Sequence, residues 1–131
     1  MKTLIVEDDF ICRRLLKELL ARYGDCDIAT NGEEGVAAFK MALESGAPYQ
    51  LVCMDIMMPN MDGQQALKLI REIEKEHNIF GDQEVKVIMT TALDDPKSVI
   101  EAYYRGGATA YIVKPIIKET LLNELRNFGL L

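Results

Sequence analysis

Short apolar runs alternate with amphipathic stretches from one end of this chain to the other, and that alternation restricts the fold more than any other feature. The runs at 4–6, 27–30, 51–54, 85–90 and 110–113 are strand-sized. Between them apolar residues recur at helical spacing: Ile11, Leu15, Leu16, Leu19 and Leu20 within 10–23, and Val36, Phe39 and Leu43 within 33–45. Ala66, Leu67, Ile70 and Ile73 mark a third helix after the loop at 59–63, and further helices are predicted over 96–105 and 118–128. Gly24, Asn31-Gly32 and Gly46-Ala47-Pro48 stand where elements must end. Five strands alternating with five helices imply right-handed crossovers and a parallel sheet with helices on both faces. The unbroken apolarity of 51–54 fits a strand buried on both of its faces.

Composition narrows the class of protein. At 131 residues with nearly half of them apolar, one domain with a real core is expected over 1–131, without linker, repeat or effector domain. A formal net charge of -6, with Arg13-Arg14 as the only basic doublet, argues against direct nucleic-acid binding. No apolar run approaches the roughly 18 residues of a membrane span, and the first run comes too early for a signal peptide. Cys12, Cys26 and Cys53 suit neither a disulfide framework nor a zinc site, so buried reduced thiols of a cytoplasmic protein are expected.

Chemistry gathers where the apolar runs stop. Glu7, Asp8 and Asp9 follow the first run, Asp55 the third, Thr91 the fourth and Lys114 the fifth, while Asp62-Gly63 opens a helix soon after Asp55. In an open parallel sheet the carboxyl ends of the strands share one edge, and ligands bind there. Clustered carboxylates repel one another unless a cation lies among them, and hard oxygen ligands favour Mg2+, with Mn2+ possible. A carboxylate left over can attack phosphorus. A metal, a lysine and a hydroxyl together neutralise a phosphoryl group in transfer, and Lys114 and Thr91 supply the last two.

Those residues resemble the receiver domain of two-component response regulators, and in particular stand-alone regulators of the chemotaxis type. The resemblance spans essentially the whole chain: Leu4-Ile5-Val6-Glu7-Asp8, Asp55-Ile56-Met57-Met58-Pro59-Asn60-Met61-Asp62-Gly63, Thr91-Ala92, Gly107-Ala108 and Tyr111-Ile112-Val113-Lys114-Pro115. It implies a flavodoxin-like, doubly wound α/β fold with five parallel strands in the order 2-1-3-4-5. It implies a phosphoacceptor at Asp55, a direct metal ligand at Asp8, an acid acting through a metal-bound water at Glu7, and a backbone ligand at the Met57 carbonyl. Thr91 would bind a phosphoryl oxygen, Lys114 would pair with the phosphoryl group, Tyr111 would be the switch aromatic, and the Lys114-Pro115 bond would be cis. The implied partners are a histidine kinase or phosphotransfer protein and a downstream protein target. Switching would alter the surface made by 96–105, 110–113 and 118–128. Such a protein is no conventional enzyme: it catalyses its own phosphorylation and slow dephosphorylation.

Pairing Asp8-Asp9 with the family's acids would shift the first helix by one residue. The positions of Ile5-Val6 and Arg13-Arg14 favour Glu7-Asp8, which leaves Asp9 as an acid at the helix start. Met57 and Leu93 are bulky at the positions that the family ties to phosphoryl lifetime, and 74–84 is longer than the family minimum. Two other readings use the same residues: a receiver-shaped interaction module that never switches, and an aspartyl-nucleophile phosphatase. The phosphatase wants a second acid two residues past the nucleophile, where Met57 stands. His77, in a polar stretch, reads as a solvated helix end. Met54, Met57, Met58 and Met61 read as core and loop packing, and Thr90 competes with Thr91 as the hydroxyl of the site.

Overall fold

A computed structural model of the chain describes residues 1–92 and 107–131. Five strands, β1 (Thr3–Val6), β2 (Cys26–Ala29), β3 (Leu51–Asp55), β4 (Lys86–Thr91) and β5 (Ala110–Val113), form one sheet. Its order is β2-β1-β3-β4-β5, and every adjacent pair is parallel. Four helices are α1 (Phe10–Leu20), α2 (Gly32–Glu44), α3 (Gly63–Glu76) and α4 (Lys118–Asn127). The helix predicted over 96–105, together with Leu93, lies outside the described residues.

Side chains alternate across a strand, so the register sorts the apolar residues into two layers. Leu4, Val6, Val52, Met54, Val87 and Met89 face one side, where Phe39 of α2 and Leu67 and Ile70 of α3 cover them. Ile5, Cys53, Ile88, Ala110 and Ile112 face the other, under Leu16 and Leu20 of α1 and Leu121 and Leu125 of α4. Each such Leu or Ile taken fully out of water contributes about 1.5–3 kcal/mol. Both faces of β1, β3 and β4 are thereby buried, which is why their sequences read as continuous apolar runs rather than alternating ones.

Caps set the helix starts. Asp9 accepts from Ile11 N at 3.1 Å, Asn31 from Glu34 N at 2.9 Å and Asp62 from Gln65 N at 2.9 Å. The Glu34 carboxylate accepts from Thr30 N at 3.2 Å and from the Thr30 hydroxyl at 2.9 Å, which fastens the turn just ahead of α2. The periodicity over 10–23 stops being α-helical at Leu20, and Ala21–Tyr23 tighten into a 3-10 turn. Gly24 then leads into β2 at a φ of 148° with its Cα against the Met1 backbone, a place no side chain can occupy. β2 begins at Cys26, one residue earlier than the sequence predicts, because parallel pairing sets Thr3 against Cys26. Cys12 and Cys53 are buried as expected, whereas Cys26 is only half-buried at the start of the edge strand β2. His77 ends α3 on the surface, its Nδ1 2.9 Å from the Ile73 carbonyl oxygen. Among the described residues no helix is long and apolar enough to cross a membrane.

Candidate functional site

Alternation also decides which polar residues meet at the carboxyl edge. Glu7 continues the side of Ile5, Asp55 that of Cys53, and Lys114 that of Ile112, so all three project on the face covered by α1 and α4. Asp55 ends a strand that is buried throughout and is itself 6% exposed. A carboxylate there is costly unless paired. Its Oδ1 accepts from Met57 N at 3.1 Å and its Oδ2 lies 3.1 Å from Lys114 Nζ.

Glu7 is fully buried; its Oε1 is 2.6 Å from Lys114 Nζ and its Oε2 accepts from Asp9 N at 3.2 Å. Arg13 donates to the Glu7 carbonyl oxygen at 3.1 Å and so ties α1 to the end of β1. Lys114 continues the sheet ladder by donating its N–H to the Thr91 carbonyl oxygen at 2.7 Å, and its bond to Pro115 is cis. From β5 its ammonium crosses to β3 and β1. Behind Asp55, Gly63 N donates to the Ile56 carbonyl oxygen at 2.8 Å, which seats the start of α3 directly against the end of β3.

One carboxylate oxygen from each of Glu7, Asp8 and Asp55 lies within 4.8 Å of the others, and Asp8 is exposed to solvent. Burial raises the pKa of Glu7; Lys114 opposes the shift and Asp55 reinforces it. Burial pulls the Lys114 ammonium the other way, but its hydrogen bond to Glu7 and the charges of Asp55 and Glu7 outweigh that and hold its pKa above the ordinary value. Three carboxylates thus face one ammonium, and an all-oxygen donor set of this kind can coordinate a divalent cation. Asp9, committed to capping α1, stands outside the cluster, which agrees with pairing Glu7 with Asp8.

Thr91 is fully buried at the end of β4, on the side of Val87 and Met89, and the half-buried Tyr111 packs on that same side. The hydroxyl that shares a face with Asp55 is instead that of Thr90, whose Cα is the register partner of Asp55. Met57 is 58% exposed rather than packed, whereas Met54 and Met58 are buried. A cavity of about 330 Å³ lined by Phe39, Tyr49, Val85 and Leu130 opens at the opposite edge of the sheet, away from these acids.

A second polar cluster escaped sequence reasoning. Arg71 donates to the Gly107 carbonyl oxygen at 2.8 and 3.1 Å and to that of Val85 at 2.9 Å, and it pairs with the buried Glu74 at 2.7 Å. Glu74 in turn accepts from Val85 N at 2.7 Å. On paper the two residues are an ordinary i, i+3 pair of surface charges.

The parallel order 2-1-3-4-5 and an acid cluster bridged by a lysine at the carboxyl edge define a flavodoxin-like α/β domain of the receiver type. The model of the response regulator receiver domain matches residues 3–126, and the chain belongs to that family. It is 33% identical to the chemotaxis protein CheY of Bacillus subtilis over 95% of this chain and 93% of that protein. Among solved structures it resembles the CheX-CheY-BeF3-Mg2+ complex of Borrelia burgdorferi, with 29% identity, a TM-score of 0.83 and coverage of 98% of this chain and 89% of that one. It resembles equally the complex of the Saccharomyces cerevisiae histidine phosphotransfer protein Ypd1 with the receiver domain of Ssk1, at 28% identity, a TM-score of 0.84, and 98% and 88% coverage. The site is that of a phosphorelay receiver that acts by switching towards partners, and not that of a conventional enzyme.

Proposed function

We propose that Asp55 accepts a phosphoryl group from a phosphohistidine of a kinase or phosphotransfer protein in a Mg2+-dependent reaction. An Asp55 carboxylate oxygen attacks phosphorus, the O–P bond forms, the N–P bond breaks, and imidazole leaves. The observation that carries this reading is the position of Asp55, a buried carboxylate held between Met57 N and the Lys114 ammonium with two further carboxylates beside it.

Asp8 and Asp55 would ligate the cation directly, Glu7 through a bound water, and the Met57 carbonyl from the backbone. The bound cation supplies charge neutralisation for the phosphoryl oxygens and for the carboxylates that face them. Lys114 pairs with a phosphoryl oxygen, and the Thr91 hydroxyl donates to another after turning towards Asp55. Tyr111 follows Thr91, and the surface of β5 and α4 passes to a state that a protein target distinguishes.

Residues 1–131 are read as one receiver domain of a cytoplasmic protein, with output through a partner. Phe10, Ile11, Met57 and Ile117, between 58 and 76% exposed, stand on the segments that leave the carboxyl edge. Apolar groups around an acidic centre suit docking of a phosphodonor protein. The partners in the two similar complexes, CheX and Ypd1, support a protein partner of this kind here as well.

The test is amide NMR of the chain with beryllium fluoride and Mg2+, beside Asp55→Asn. Shifts spreading from Asp55 to Thr91 and Tyr111, absent in the variant, are expected. Mg2+ binding without any such spread would favour the interaction-module reading instead.

A further inference from the structure

Thr90 is 1% exposed, and among the described residues its hydroxyl oxygen has no hydrogen-bond partner. A valine of nearly the same shape would fill this place without an orphaned polar group, so the hydroxyl calls for a reason. Its location supplies one. Thr90 lies on the α1 and α4 side of β4, in register with Asp55 on one flank and with Ile112 on the other. Lys114, two residues beyond Ile112, reaches from β5 to Asp55 on β3 and Glu7 on β1, at 3.1 and 2.6 Å. Its side chain therefore crosses the end of β4 on the face where Thr90 is the last residue.

An ammonium has three N–H donors. In this state the ammonium is ion-paired with both Glu7 and Asp55. Those same carboxylates belong to the cluster that suits a divalent cation, so cation and ammonium compete for the same oxygens. Once a cation takes them, a partly buried ammonium needs another acceptor. We infer that Thr90 is a positioning residue for Lys114, its buried hydroxyl oxygen accepting from the ammonium when a cation at the carboxylates displaces it from Glu7. Lys114 then stays beside Asp55, available to a phosphoryl oxygen, instead of swinging out to solvent. This inference rests on the cation-assisted phosphoacceptor reading of the site.

The experiment is an NMR titration of the full chain with Mg2+ alone, on wild type, Thr90→Val and Thr90→Ser, each also in a Lys114→Met background. Loss of the acceptor makes displacement of the ammonium harder, so Thr90→Val is expected to weaken Mg2+ binding about tenfold. Thr90→Ser should stay within about twofold of wild type, and Thr90→Val should have no effect once Lys114 is methionine. Urea unfolding run alongside should find Thr90→Val at least as stable as wild type, which separates a loss of binding from a loss of fold. Wild-type affinity in Thr90→Val, an equal loss in Thr90→Ser, or a loss that persists without Lys114 would each overturn the inference while leaving the phosphoacceptor reading intact. A wild type with no saturable Mg2+ shifts at Glu7, Asp8 and Asp55 would remove that reading and this inference together.

Discussion

Lys114 Nζ stands 2.6 Å from Glu7 Oε1, closer than its 3.1 Å approach to Asp55 Oδ2. The lysine is thus ion-paired with a fully buried carboxylate just past β1 as well as with Asp55 of β3. Because a cation and the ammonium share these oxygens, Lys114→Met is expected to tighten Mg2+ binding about tenfold. The same variant should bind beryllium fluoride more weakly, having lost a counter-charge for it. Both constants come from one pair of titrations, and weaker Mg2+ binding in the variant would contradict the competition.

Gly63 packs its backbone against the end of β3. A Cβ there would collide with the Asp55 carbonyl oxygen and stand 2.8 Å from the Met89 methyl. Backbone on one side cannot give way as a flexible side chain can, so Gly63→Ala must push α3 off the end of β3. A loss of about 1–3 kcal/mol in urea unfolding is expected, as for other overpacked cores. Weaker beryllium fluoride binding should accompany it, since Asp55 moves with its strand. Unchanged stability would mean that the start of α3 is not seated as described.

Arg71 and Glu74 form a buried clamp between α3, the segment entering β4 and the chain just before β5. Arg71→Met strands the Glu74 carboxylate, which is 1% exposed. Removal of one partner of a buried pair costs about 3–5 kcal/mol, and Arg71→Met with Glu74→Gln should recover most of it. Burial already raises the Glu74 pKa, with Arg71 and Val85 N opposing the shift. The deficit of the single variant should therefore shrink as pH falls and Glu74 takes up a proton. Unfolding curves at neutral and mildly acidic pH test both statements.

Burial pushes the Cys53 thiol from an ordinary 9.0 to about 12 in the folded chain. The unfolded chain therefore loses this proton first. The thiol's contribution is fully present below pH 9.0 and disappears as pH rises towards about 12. The slope across that window is about 1.4 kcal/mol per pH unit for each such proton. Cys53→Ala should flatten the alkaline limb of stability against pH by about one proton, even if its cavity lowers the whole curve. An unchanged slope would show that the thiol does not hold its proton through that range.

Much of the architecture was legible because its determinants are local. Apolar runs gave the five strands to within a residue or so, and i, i+3, i+4 spacing gave the four described helices. The strand-end acids, Thr91 and Lys114 stood out because a charged or hydroxylated residue closing a buried strand needs a partner. Legibility failed where the deciding contact came from a distant segment. Arg71 and Glu74 look like solvated helix charges until the Gly107 and Val85 backbone arrives from 36 and 14 residues away. Thr90 and Thr91 are neighbours in sequence, and only the pairing of β4 with β3 and β5 assigns one to the side of Asp55 and the other to the side of Tyr111.

From its sequence alone this protein was determined to be an alternating α/β chain with acids, a hydroxyl and a lysine at its strand ends, since hydrophobic period and strand-end chemistry are written residue by residue. Tertiary structure alone decided how those residues are wired. The lysine rests on Glu7 as well as on Asp55, the Thr90 hydroxyl has no partner among the described residues, and a clamp joins α3 to two later segments. The physical reason is that these are matters of register and reach between strands far apart in the chain. A one-residue change in pairing would turn each side chain to the opposite face.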